Sequence, residues 1–159
     1  MYSTMKYASP VGVLTLAGEG ENIVGLWLEG QKYFGAKLDL SGEGALPVFD
    51  RARDWLDRYF AGEWPSPAEL PLAPVGTPFQ KTVWKALCEI PCGETVTYGE
   101  LAKRLHTSPR AVGSAVGHNP ISIIVPCHRI MGADGSLTGY AGGVERKKWL
   151  LAHEGVKMK

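Results

Sequence analysis

The sequence predicts an α+β fold in two parts. A small N-terminal α/β domain, an antiparallel sheet with one helix across it, is expected over residues 1–74, and a mainly helical C-terminal domain over residues 75–159. Three observations predict this. Apolar, β-branched runs of strand length are concentrated in the first half, a single amphipathic helix follows them, and beyond a cluster of prolines the chain reads as short capped helices. With 159 residues, 45% of them hydrophobic, there is apolar material for a core in each part.

Residues 11–17 and 23–28 are rich in β-branched and apolar side chains, and Gly18-Glu19-Gly20-Glu21-Asn22 between them has turn chemistry, so they form a hairpin. Over residues 47–60, Val48, Ala52, Trp55, Leu56 and Tyr59 recur at helical spacing, with Arg51, Arg53, Asp54, Asp57 and Arg58 on the other side. Pro65, Pro67, Pro71, Pro74 and Pro78 then crowd together. Each lacks a backbone donor and restricts the residue before it, so the domain boundary falls here.

Thr77-Pro78-Phe79-Gln80 opens the second half as a capping box with proline in the first turn, and its helix ends before Pro91. Thr97-Tyr98-Gly99-Glu100 repeats the box, and Ser108-Pro109 starts a further helix over residues 110–118. Ile121, Ile123, Ile124 and Val125 read as a buried extended stretch. A turn at Gly132-Ala133-Asp134-Gly135 follows, and the loop Thr138-Gly139-Tyr140-Ala141-Gly142-Gly143 is expected to close on the Cys127 region. The last helix covers residues 144–154, with Leu150 and Leu151 inward and Gly155 closing it.

A net charge of +1 is too small to announce a nucleic-acid partner, which would need a local basic face. No apolar stretch approaches the roughly 18 residues of a membrane span. Three cysteines, Cys88, Cys92 and Cys127, and an opening run without an apolar leader fit a reducing, cytoplasmic setting.

Two short helices joined by a tight turn, with Lys103, Arg104 and Arg110 at the joint, have the arrangement of a helix-turn-helix DNA reader. Ordinary packing produces the same pattern. The small residues Ala111, Gly113, Ser114, Ala115 and Gly117 suit either a close-packed core helix or one that approaches a DNA groove. Cys88 lies in a helical stripe and reads as a small hydrophobe. Cys127 differs, because it follows Pro126 and precedes His128 and Arg129, whose charge or basicity favours a thiolate. Neighbours in a strand point apart, so a water or third residue would have to relay a proton between Cys127 and His128, with Glu154 as the carboxylate that orients the imidazole. A zinc site from Cys88, Cys92, Cys127 and His128 fits no common ligand spacing, and no metal or cofactor is expected.

Pro126-Cys127-His128-Arg129-Ile130 is preceded by Arg110-Ala111-Val112-Gly113 and Asn119-Pro120. It is followed by Gly139-Tyr140-Ala141-Gly142-Gly143 and Trp149-Leu150-Leu151-Ala152-His153-Glu154-Gly155. This ordered set resembles the signature of the O6-alkylguanine-DNA alkyltransferases. The resemblance spans essentially the whole second half, whereas the first half is similar only in size and strand-helix character. It implies an RNase H-like first domain and a winged-helix-like second domain that binds double-stranded DNA in the minor groove and flips the lesion out. The alkyl group of O6-alkylguanine, with O4-alkylthymine a candidate second lesion, would pass irreversibly to Cys127, once per molecule of a monomeric protein.

By the same resemblance Arg110 fills the vacated place in the duplex, and Ala111, Val112, Ser114 and Ala115 keep the groove-facing helix slim. Tyr98 would bond the base at N3, the Ala141 amide would donate to O6, and the carbonyls of Cys127 and Ile130 would accept from the exocyclic amine. Val116 and Tyr140 would line the pocket, Asn119 would hold the active-site turn, and His128, oriented by Glu154, would deprotonate Cys127 through water. Gly117-His118 stands where some relatives carry a further arginine. The first half lacks the ligands of the structural zinc of others, so the chain is similar to the bacterial, metal-free form. Three rivals remain: a lesion-binding relative without transfer, against which Cys127 argues; a cysteine hydrolase, which leaves the arginine-bearing helix pair unexplained; and a helix-turn-helix regulator that would not need Cys127.

Overall fold

The computed structural model describes residues 2–42, 44–137 and 140–156. Its chain divides into two compact units, Met1–Val75 with Pro120–Ser122, and Gly76–Asn119 with Ile123–Lys159.

In the first unit the expected hairpin gains a third strand. Strands β1 (Ser3–Ser9), β2 (Gly12–Glu19) and β3 (Asn22–Leu28) form an antiparallel meander in that order, with a register shift at Ala17 and Gly18. Beyond Ser3, β1 alternates exposed and half-buried side chains, so it shows no apolar run in the sequence. Helix α1 (Pro47–Phe60) starts on its proline and buries Val48, Phe49, Ala52, Trp55, Leu56 and Tyr59 against the sheet. Two short segments satisfy the outer edge of β3. The Ile23 amide donates to the Pro71 carbonyl and Ala73 to Ile23, both at 2.8 Å, while Leu26 donates to Pro120 at 2.8 Å and Ser122 to Leu26 at 2.9 Å.

The second unit holds α2 (Pro78–Leu87), α3 (Tyr98–Arg104), α4 (Pro109–Gly117) and α5 (Val144–His153). Both predicted capping boxes form, Thr77 with Gln80 and Thr97 with Glu100, and Ser108 caps α4. His106 makes the tight turn between α3 and α4 in the left-handed region at φ 56°. Its amide donates to Lys103 and that of Thr107 to Ala102, which closes α3 as a Schellman motif. The indole of Trp84 donates to the Ala115 carbonyl at 2.8 Å, tying α2 to α4. Strand β4 (Val96–Thr97) pairs in parallel with β5 (Ile130–Met131), which brings the start of α3 beside the residues that follow Cys127. No described helix is long and apolar enough to cross a membrane.

Candidate active site

Cys127 lies on a turn, and this corrects the extended stretch expected over residues 121–125. Those side chains are buried, but Ile123 takes φ 71°, a conformation rarely adopted by a β-branched residue. Pro126, at φ −81° and ψ 63°, is the centre of an inverse γ-turn closed by the Cys127 amide on the Val125 carbonyl at 2.8 Å. A 3-10 turn over Cys127–Arg129 follows. The apolar run reports burial, and burial does not require a strand once other groups satisfy the backbone. Here the Asn119 side-chain amide donates to the Val125 carbonyl at 3.0 Å. Successive residues of a 3-10 turn are about 120° apart, so Cys127 and His128 are not held on opposite faces as they would be in a strand.

His128 is fully buried, and its Nε2–H donates to Glu154 Oε2 at 2.6 Å. The other carboxylate oxygen, Oε1, accepts from Arg129 Nε at 2.7 Å, and Arg129 Nη1 donates to the Ile90 carbonyl at 2.6 Å. Glu154 is fixed at the end of α5 by a second Schellman motif, in which Gly155, at φ 83°, donates to Ala152 and Val156 to Leu151. Burial would raise the Glu154 pKa, but the hydrogen bonds and charges of His128 and Arg129 hold the carboxyl well below its usual range. Burial lowers the His128 pKa; Glu154 opposes that, and Arg129 and Lys147 reinforce it. The imidazole is therefore neutral near pH 7, with its proton on Nε2 and Nδ1 left as an acceptor that meets no protein donor among the described residues.

The Cys127 thiol is buried, and burial pushes its pKa up to about 11, against a hydrogen bond from Asn119 and the charge of Lys147. A thiol so placed needs a base before it can act as a nucleophile. Cys88 and Cys92 are also pushed up to about 11, first by burial, and are not thiolates at neutral pH. Lys147 is a fully buried cation whose Nζ donates to the Ile130 carbonyl at 2.5 Å; burial lowers its pKa to about 8. Among the described residues no group of three or more His, Cys, Asp or Glu is placed to hold a metal ion.

The remaining expected residues fall in two groups. Asn119, Val116 and Tyr140 are buried, with the Tyr140 ring edge-on to His128 at 6.5 Å between centroids. Ile130, three residues after Cys127, is buried, Ala141 is half-buried, and Thr138 and Gly139 lie outside the described residues. Tyr98, half-buried at the start of α3, lies over Gly113 of α4. On α4, Arg110 and Ser114 are exposed and Ala111 is half-buried, but Val112 and Ala115 are buried at 0% and 2% exposure. Helical spacing sets Val112 and Ala115 with Val116 on the inner face, so they do not belong to an outward surface as expected.

Two family models match the chain. One describes the ribonuclease-like domain of 6-O-methylguanine DNA methyltransferase, over residues 1–74, and the other its DNA binding domain, over residues 78–156. A methylated-DNA--protein-cysteine methyltransferase of Haemophilus influenzae is 48% identical over 93% of this chain and 83% of its own length. The chain belongs to the 6-O-methylguanine DNA methyltransferase family. Another relative of the same description, from Methanosarcina mazei, is 47% identical over 92% of each chain. Among solved structures, Mycobacterium tuberculosis OGT in complex with DNA matches with a TM-score of 0.87 at 46% identity, over 96% of this chain and 93% of that one.

Within this member of the methyltransferase family, sequence reasoning missed Lys147. A signal was present: Lys147, Leu150, Leu151 and Glu154 follow i, i+3, i+4, i+7 spacing, which puts the lysine on the inward stripe of α5. The β4–β5 pair was also missed, because two-residue strands leave no period to read.

Proposed function

We propose that this chain repairs DNA by direct reversal, accepting an alkyl group from O6-alkylguanine on Cys127 and being consumed in doing so. The observation that carries this reading is the buried His128–Glu154 pair directly after a buried thiol, with Nδ1 available to accept. A water between Nδ1 and Sγ would carry the proton from Cys127 to His128. The sulfur then bonds the alkyl carbon as the carbon–O6 bond breaks, and its electron pair passes to O6. The guanine leaves after gaining one proton, with Tyr98 at N3 and the Ala141 amide at O6 as donors. The exocyclic amine donates to the carbonyls of Cys127 and Ile130, the latter through the lone pair that Lys147 leaves open. Val116 and Tyr140 line the base pocket. The thioether is stable, so each molecule acts once.

Double-stranded DNA is the partner, read in the minor groove by α4 through Arg110, Ala111 and Ser114, with the lesion flipped out of the stack. The likeness to a relative solved on DNA supports this reading. O4-alkylthymine, with the same alkyl–oxygen bond, is a second candidate substrate. A monomer in the cytoplasm is the setting, which the three free thiols suit.

The His128–Glu154 pair would equally serve a cysteine hydrolase, and stoichiometry separates the two. With lesion-bearing duplex in excess, repair is expected to stop at one lesion per protein; continued turnover would establish hydrolysis. Arg110→Ala is expected to slow repair of duplex about tenfold or more while leaving reaction with free O6-benzylguanine within about twofold, since only the duplex must be held open. Equal losses on both substrates would rule out a role for Arg110 in flipping.

A further inference from the structure

We propose that Arg129 is a positioning residue of the transfer reaction, whose guanidinium, seated on the Ile90 carbonyl, takes one oxygen of Glu154 and leaves the other to His128. The inference rests on the reading of His128 as the base.

Arg129 is 7% exposed, and its guanidinium donates in two different directions, Nε to Glu154 Oε1 and Nη1 to the Ile90 carbonyl. Ile90 lies just past the end of α2, its own amide bonded to the Leu87 carbonyl at 3.0 Å, so the guanidinium has a rigid anchor. A rigid planar fork suits this bridge in a way an ammonium does not. The carboxylate is thereby divided, one oxygen to each partner, and cannot rotate to offer both to the imidazole.

Charge gives Arg129 a second effect. The groups acting on His128 are Glu154, Arg129 and Lys147, with Cys127 adjacent and the Tyr140 ring edge-on; the Cys92 thiol lies against both Glu154 and Arg129, and Cys88 is near Arg129. A carboxylate alone would favour an imidazolium, which cannot accept a proton. Burial favours the neutral imidazole and the guanidinium adds to it against the pull of Glu154, so His128 stays neutral and its Nδ1 stays an acceptor. Removing the charge without removing the donor should therefore raise the pH at which His128 loses its proton.

Arg129→Gln and Arg129→Lys in the full chain test this with two readouts: the titration midpoint of His128 by nitrogen NMR of labelled imidazoles, and single-turnover methyl transfer from an O6-methylguanine duplex against pH. In R129Q the midpoint is expected to rise by about one unit and the acid limb of the rate to move with it. Transfer would then be about tenfold slower on that limb, the deficit narrowing at alkaline pH to the several-fold loss that comes with losing the fork. R129K keeps the charge and loses the fork, so the midpoint stays and the rate falls several-fold at every pH. An unmoved midpoint in R129Q, with the wild-type acid limb intact, would overturn the role of Arg129 alone. A moved midpoint with an unmoved rate profile would overturn the base reading of His128, and the part of Arg129 in transfer with it. Should R129Q fail to fold, wild-type rates in R129K would overturn the proposal.

Discussion

Cys127→Ala is expected to bind a duplex carrying O6-methylguanine and to take nothing from it. Transfer should fall below detection, because no other group at the site is a nucleophile. Asn119 is an amide, the open Nδ1 of His128 is set to reach the thiol position through water, and Cys88 and Cys92, pushed up to about 11 as Cys127 is, are followed by no histidine that could take their proton. Trimming one buried sulfur costs about 1 kcal/mol of stability, so the variant should remain folded and its affinity for the lesion should persist. Transfer of label from methyl-labelled duplex, run beside a gel-shift titration, checks both halves. Labelled protein in the variant would place the acceptor elsewhere.

Lys147→Met should make the protein more stable and less active. The ammonium is fully buried, and burial brings its pKa from 10.5 to about 8, so keeping it charged at neutral pH costs on the order of 3 kcal/mol. Methionine keeps the volume without the charge, and after loss of the bond to the Ile130 carbonyl a net gain of about 1–2 kcal/mol is expected. The cost of the charge is fully present below about pH 8, where folded and unfolded chains both hold the proton. Between about 8 and 10.5 the folded chain gives up that proton first, so wild-type stability gains on the variant as pH rises through this window. Urea midpoints of the two proteins against pH read this directly; a constant difference would mean that Lys147 is not the group titrating. The loss of activity follows from the same charge, which draws the Cys127 thiol down. Without it, transfer at neutral pH should slow about tenfold.

The sequence carries the fold where side-chain period and burial agree. Helix α1 is legible residue by residue because Val48, Ala52, Trp55, Leu56 and Tyr59 face one way, and Thr77, Thr97 and Ser108 mark helix starts through their own chemistry. It fails where burial comes without a period. Ile121 to Val125 are as apolar as a core strand, yet the Asn119 side chain supplies a backbone bond and the chain turns at Ile123 and Pro126. That turn governs the site, since it alters how Cys127 and His128 are disposed. The pairing of His128 with Glu154 could be named from motif and resemblance, but the split of the carboxylate between His128 and Arg129 depends on where Ile90 lies, which no local pattern encodes.

In the proposed reaction Cys127 accepts the alkyl group. Peptide-resolved mass spectrometry of the wild-type protein, after incubation with a slight excess of O6-methylguanine duplex, tests it most directly. One added methylene per chain, confined to the peptide containing Cys127, is the expected result. An unmodified chain that still binds the duplex tightly, or the added mass on Cys88 or Cys92, would contradict it.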